Sequence, residues 1–131
     1  MMSEPSRKSG ISQAIRWFDP RGRDIGTIAF ILNRITALGL TFYLFLHLIV
    51  LGQLAQGAEA YDGFLATIRS PIYIFGELLV IAAGLYHGLN GIRVGLTSFG
   101  IAVPQQKKLF YWLLAIAVLG SLIFGIRMFT A

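Results

Sequence analysis

Three apolar stretches, each long enough to cross a lipid bilayer, limit what this chain can fold into. They run from Ile25 to Ala55, from Ile72 to about Phe99, and from Leu109 to about Met128. A helix of roughly 20 apolar residues spans the hydrocarbon core of a membrane. Because no water satisfies backbone polar groups there, a short chain with three crossings must cross as helices. The sequence therefore predicts an all-α membrane protein with three transmembrane helices.

The composition supports a membrane protein and excludes several other classes. Hydrophobic residues make up 56% of the chain and charged residues 13%, about half the charged share of an average soluble domain. The basic residues behind the formal charge of +5 lie at the borders of the apolar stretches, which argues against nucleic-acid binding. The absence of cysteine excludes disulfides, haem ligation by thiolate and iron–sulfur clusters held by this chain.

The distribution of basic residues predicts the orientation of the chain. Seven lysines and arginines lie in the polar tail, residues 1–24, and in the loop before the third stretch, whereas Arg69 and Arg127 lie near the opposite border. Basic residues are enriched on the cytoplasmic side of membranes. We therefore expect a cytoplasmic tail and a transmembrane domain at residues 25–131, in a multi-pass protein of the cell inner (cytoplasmic) membrane. A short loop is expected at residues 57–69.

Two histidines, His47 and His87, lie inside the apolar stretches and mark the candidate site. Ionisable side chains at membrane depth are costly and often mark a functional site. Neutral imidazole is also a common iron ligand of haem proteins. By helical count, each histidine lies on a face of small or polar residues, and His87 borders a glycine stripe. A metal role and a simple hydrogen bond between helices both remain open. The stripe consists of Gly84, Gly88, Gly91 and Gly95.

The depths of the two histidines predict separate sites. The first and second helices run in opposite directions, and His47 lies 13 residues beyond Arg34, whereas His87 lies six residues before Arg93. At about 1.5 Å per residue, the rings lie about 20 and about 9 Å from the same membrane border. They are therefore not expected to share a metal, and each needs a second axial ligand from another chain because there is no third histidine. We expect a backbone carbonyl one turn earlier to fix each imidazole tautomer.

Arg34 and Arg93 lie near the membrane border on the first and second helices. A guanidinium there either extends towards the headgroups or contacts a quinone carbonyl or a propionate. Arg34 points about 140° away from His47 around the helix axis, so it is not expected to serve that site. No catalytic residue is predicted in this chain.

The second helix carries a motif that resembles a known family. Residues 86–93 read Tyr-His-Gly-Leu-Asn-Gly-Ile-Arg, which is similar to the H-x-x-N-G-I-R signature of the cytochrome b subunit that anchors succinate dehydrogenase, respiratory complex II. Residues 33–39 are similar to the family's H-R-x-[ST]-G segment. The resemblance covers roughly residues 25–128. Asn33 stands where the family has a histidine, and Phe30 where it has a serine.

The resemblance implies a three-helix cytochrome b domain that joins a second membrane-anchor subunit in a larger helical bundle. The histidine of the family motif ligates haem b, and it corresponds to His87. His47 resembles the first-helix ligand of members with two haems, so two haems b shared with the partner subunit are implied. Arg34 corresponds to an arginine at the family's quinone site, and no other quinone contact is carried over. Arg93 remains a candidate cofactor contact because of its position near the membrane border. The quinone that the resemblance implies is menaquinone or ubiquinone.

The function implied is electron transport from succinate oxidation to quinone, a step of the tricarboxylic acid cycle. An iron–sulfur subunit would dock on the basic face and carry a flavoprotein subunit, while membrane lipid surrounds the helices. The chain would belong to an enzyme without being catalytic alone. The alternative is a haem-free structural anchor of the same complex or of fumarate reductase, with histidines that only pack. The quinone type and the direction of the reaction stay open.

Overall fold

The computed structural model describes residues 10–17, 19 and 21–130, and every regular element within these ranges is helical. A short helix, α1 (Gly10–Trp17), lies in the tail, where no helix was predicted. Among the described residues, three helices are long and apolar enough to cross a membrane, which confirms the predicted fold class. The long helices are α2 (Ile25–Leu54), α4 (Pro71–Ser98) and α5 (Gln106–Thr130), the last preceded by a 3₁₀ turn, Val103–Gln105.

The prediction of a loop between the first two spanning helices is wrong, because a second short helix, α3 (Ala58–Ile68), occupies most of this segment. Gly57 adopts a φ of 109° and turns the chain between α2 and α3. Tyr61, Leu65 and Ile68 recur at helical spacing and are partly buried, and α3 packs against α2. Burial of this apolar edge outweighs the turn-forming residues that favoured a loop.

Local backbone chemistry sets the ends of α4. Pro71 occupies its first turn, and Ser70 precedes it in an extended conformation, as is typical of a helix start. At the other end, Gly100 has a φ of 79°, and its N–H donates to the carbonyl of Thr97 while Ile101 donates to Leu96 at 2.9 Å. This pair of bonds is a Schellman motif. It confirms that Gly100 ends the second helix.

Helix α4 lies between α2 and α5 and packs against both. Two glycines of α5 allow close approach, since a Cβ added at Gly120 would meet Leu85 at 3.1 Å and one at Gly125 would meet Leu78 at 3.2 Å. The small shared core comprises Ala29, Tyr86, Phe110 and Ala117. Most large apolar side chains remain exposed on the chain alone, so lipid or other subunits must cover them in the membrane.

The glycine stripe of α4 is mostly open. A Cβ added at Gly88, Gly91 or Gly95 would meet no atom within 4 Å, and one at Gly84 would only just reach Leu40. Small residues on a membrane helix allow close approach of a neighbouring group. The described residues do not pack against the stripe near His87, so this face is open to a further group.

Candidate functional site

The ring of His87 is held by two oxygens of α2. Its Nδ1 lies 3.2 Å from the backbone carbonyl oxygen of Asn33 and 3.2 Å from Oγ1 of Thr36. A carbonyl oxygen can only accept a hydrogen bond, so Nδ1 must carry the proton. The hydroxyl of Thr36 lies 2.9 Å from the carbonyl of Leu32 and can donate there while it accepts from His87. Nε2 of His87 then keeps its lone pair.

The prediction that a backbone carbonyl one turn earlier fixes the tautomer of His87 is wrong. The carbonyl that fixes His87 does not lie one turn earlier on its own helix but belongs to Asn33 on α2. Metal-ligating histidines commonly donate their second ring N–H to such a carbonyl, which orients the ring and raises its basicity. His87 therefore has the tautomer that leaves Nε2 without a proton.

A chain of side-chain hydrogen bonds extends from Asn33 to Arg93. The amide nitrogen of Asn90 donates to Oδ1 of Asn33 at 3.1 Å, and Nε of Arg93 donates to Oδ1 of Asn90 at 2.9 Å. Asn90 and Arg93 are only 3% and 8% exposed. The guanidinium of Arg93 also lies 5.7 Å from the ring centre of Phe110 on α5. Three helices therefore meet around these polar groups.

Tyr86 makes a second link between α2 and α4. Its hydroxyl donates to the carbonyl of Ala29 at 3.0 Å, and Ala29 is fully buried. Two successive turns of α4 are therefore hydrogen-bonded to α2. The first is bonded through Tyr86 and the second through the Asn33–Asn90 pair. The register of His87 against Thr36 follows from these neighbouring bonds.

His47 lies apart from this network. Its side chain is exposed, and its ring stacks on Tyr43 with centres 5.6 Å apart and planes at 28°. Within residues 10–130 as described, no hydrogen bond holds this ring. His47 follows Thr36 by 11 residues, so it lies about 16 Å further along α2 than the His87 site. The two rings face separate surroundings.

The two candidate arginines are not brought together. The guanidinium of Arg34 lies 4.5 Å from the ring centre of Phe30 on its own helix, and its side chain is exposed. Arg93 is buried and bonded to Asn90. Arg34 therefore stays outside the His87 network although it follows Asn33 directly in sequence.

The most informative site residues that sequence reasoning missed are Asn33 and Tyr86. Asn33 was noted only as a departure from the family pattern, yet it binds both His87 and Asn90. Tyr86 was noted only as part of the motif. The signal available for Asn33 was its polarity at membrane depth, since such groups rarely lack partners. The residues across the helix pair could not be identified from that signal alone.

Comparison with known proteins decides the family. A sequence model described as "Succinate dehydrogenase/Fumarate reductase transmembrane subunit" matches residues 9–124. The chain belongs to this family. The match contains the His87 network, the open glycine stripe and all but the end of the third spanning helix, and it confirms the resemblance found in the sequence.

Two relatives support the same assignment for this anchor subunit. This chain is 33% identical over 110 residues to the succinate dehydrogenase 2 membrane subunit SdhC of Mycobacterium tuberculosis, and the aligned residues cover 80% of this chain and 81% of the relative. It is 32% identical over 111 residues to the succinate dehydrogenase hydrophobic membrane anchor subunit of Halobacterium salinarum, covering 84% of this chain and 83% of the relative. A membrane subunit of this family works within a complex of several subunits.

Proposed function

We propose that this anchor subunit binds haem b through Nε2 of His87 and carries electrons from an iron–sulfur subunit to membrane quinone. The tautomer of His87 supports this most directly. Its Nδ1 proton is committed to the carbonyl of Asn33, and its second nitrogen is left as a ligand. The open face at Gly88 and Gly91 leaves room beside the ring for a flat macrocycle. Bound haem would supply a one-electron carrier.

The residues around His87 suit the rest of the macrocycle. Arg93 uses Nε for Asn90, and within the described ranges its terminal nitrogens make no hydrogen bond. A guanidinium with free N–H groups is suited to a propionate carboxylate. Arg93 would therefore bind the acidic edge of the haem, while the Asn33–Asn90 pair keeps the arginine in place.

The second axial ligand must come from outside this chain. His47 lies about 16 Å further along α2, so it cannot face the same iron. The proposal therefore requires a second membrane-anchor subunit that contributes a histidine beside the glycine stripe. His47 would ligate a second haem nearer the opposite membrane surface. Two ligands at each iron leave no open axial position, as suits electron transfer.

The experiment that tests this function is a haem count on the purified complex. We expect two haems b per complex by pyridine haemochrome assay, and b-type bands in the spectrum of the reduced minus the oxidised complex. A complex without haem that still reduces quinone would leave this chain as a structural anchor. A single haem would retain His87 as the ligand and remove His47 from the proposal.

Quinone is proposed to bind near Arg34, at the membrane border closest to the electron-donating subunit. The exposed guanidinium rests on Phe30 and is free to meet a carbonyl oxygen from the lipid side. Arg34→Ala should lower the rate of quinone reduction about tenfold or more, as expected for the loss of a charged hydrogen bond. Succinate oxidation by a soluble dye should not change. Arg69→Ala, at the opposite border, is the control, and unchanged quinone kinetics in Arg34→Ala would place the quinone elsewhere.

The protein is proposed to lie in the cell inner (cytoplasmic) membrane. Its N-terminus is proposed to face the cytoplasm. The asymmetry of lysine and arginine supports it. Because the natural chain has no cysteine, single cysteines can report on each side. Ala58→Cys in α3 should react with an impermeant thiol reagent added outside intact cells. Gln105→Cys should react only after the cells are opened, and the reverse pattern would contradict the orientation.

A further inference from the structure

Helix α1 has one apolar face that the described chain leaves uncovered. At 100° per residue, Ile11, Ala14 and Ile15 share this face, while Arg16 lies about 140° from Ile11. Ile11 is 75% exposed and Ile15 is 66% exposed. Two large aliphatic side chains on one side of an eight-residue helix are costly in water. Something outside the described residues must cover them.

Hydrogen bonds fix α1 close to the first spanning helix. The guanidinium of Arg23 donates from Nη2 to the carbonyl of Arg16 at 2.7 Å and from Nε to the carbonyl of Asp19 at 2.9 Å. These carbonyls lie at and beyond the end of α1, where a basic side chain is favourable. Gly22 has a φ of 66° and completes the turn, and α2 begins at Ile25. The end of α1 is therefore held at the border from which α2 enters the membrane.

We propose that α1 is an interfacial membrane helix, with Ile11 and Ile15 among lipid acyl chains and its basic flanks against anionic headgroups. The apolar face is aliphatic and offers no hydrogen-bonding side chain for a protein partner to pair with. Residues 7–24 contain five basic and two acidic residues, which favours an anionic surface. The helix also adjoins α2, which is long and apolar enough to cross a membrane. Lipid is thus the occupant favoured over a soluble subunit.

Spin labels on the assembled complex test this placement. Ile11→Cys and Ile15→Cys would each be labelled with a nitroxide in complexes held in lipid nanodiscs that contain phosphatidylglycerol. The complex with the natural cysteine-free chain gives the background from other subunits. We expect both labels to collide severalfold more readily with oxygen, which dissolves in lipid, than with a water-soluble nickel chelate. Arg16→Cys is the matched control from the polar side, and its label should show the opposite preference.

Two outcomes would overturn the proposal. The face is in water if labels at positions 11 and 15 collide with the nickel chelate as often as the label of the Arg16→Cys control. Labels shielded from both oxygen and the chelate would show that a protein subunit covers it. Assembly of each variant is verified first by its succinate-to-quinone activity, which should match that of the parent complex, because neither isoleucine lies in the proposed cofactor sites.

Discussion

His87→Ala should remove one haem from the complex and leave the other in place. The substitution deletes the imidazole whose Nδ1 is held by Asn33 and Thr36, so under the proposed function the iron would lose one of its two axial ligands. The haem count should fall from two to one per complex, and quinone reduction should fall with it. Succinate oxidation by a soluble dye should persist, because it does not pass through this chain.

The companion variants separate ligation from packing. His47→Ala should remove the other haem and keep the one at His87, so a redox titration of each variant should show a different remaining component. Thr36→Val removes one acceptor of the His87 N–H and should keep the haem while raising its midpoint potential, because a less basic imidazole stabilises ferric iron less. If His87→Ala retained every haem of the parent complex, His87 would be only a packing residue.

Asn90→Leu should have the largest effect on stability. The substitution leaves Nε of Arg93, which is almost fully buried, without its acceptor and Oδ1 of the partly buried Asn33 without its donor. An unsatisfied buried polar group costs about 1–3 kcal/mol, and more if it is charged. The denaturation midpoint of the solubilised complex, followed by circular dichroism, should therefore fall.

A double variant provides the control for this loss. Replacing both partners of a buried hydrogen bond by apolar groups costs less than removing one of them. Asn90→Leu combined with Arg93→Leu should therefore be less destabilised than the sum of the two single variants, as neighbours in one network are expected to behave. Strict additivity would show that the Arg93–Asn90 bond contributes little to the fold.

The spanning helices could be predicted because the length of an apolar stretch is a local property of the sequence. The observed α2 ends at Leu54, one residue before the end of its apolar stretch, and α4 begins at Pro71, one residue before its apolar stretch. Helix α3 was not predicted because Gly57 and Gly63 are typical of turns and therefore indicated a loop. Its partial burial depends on α2, and a contact between helices is not visible in a local pattern.

The candidate ligands could be found from the sequence, but the groups that orient them could not. His87 stands out as an ionisable residue within an apolar stretch. Its acceptor, the carbonyl of Asn33, lies 54 positions away in sequence. A backbone carbonyl has no side-chain signature, and its availability depends on the crossing of two helices. For that reason the sequence showed Asn33 only as a replacement of the family's histidine. In the structure Asn33 bonds both His87 and Asn90.

The bonds from His87 to Asn33 and Thr36 have a consequence for the thermodynamics of cofactor capture. All three residues belong to one chain, so the rotational freedom of the imidazole is given up when α2 and α4 pack together. Under the proposed function, haem would bind to a ring that is already oriented, which would lower the entropic penalty of binding. Among the described residues, His47 makes no hydrogen bond and its ring stacks on Tyr43, so under the proposed function it would have to be ordered when haem binds. Under the proposed function, the two sites would therefore differ in intrinsic affinity even with the same ligand type.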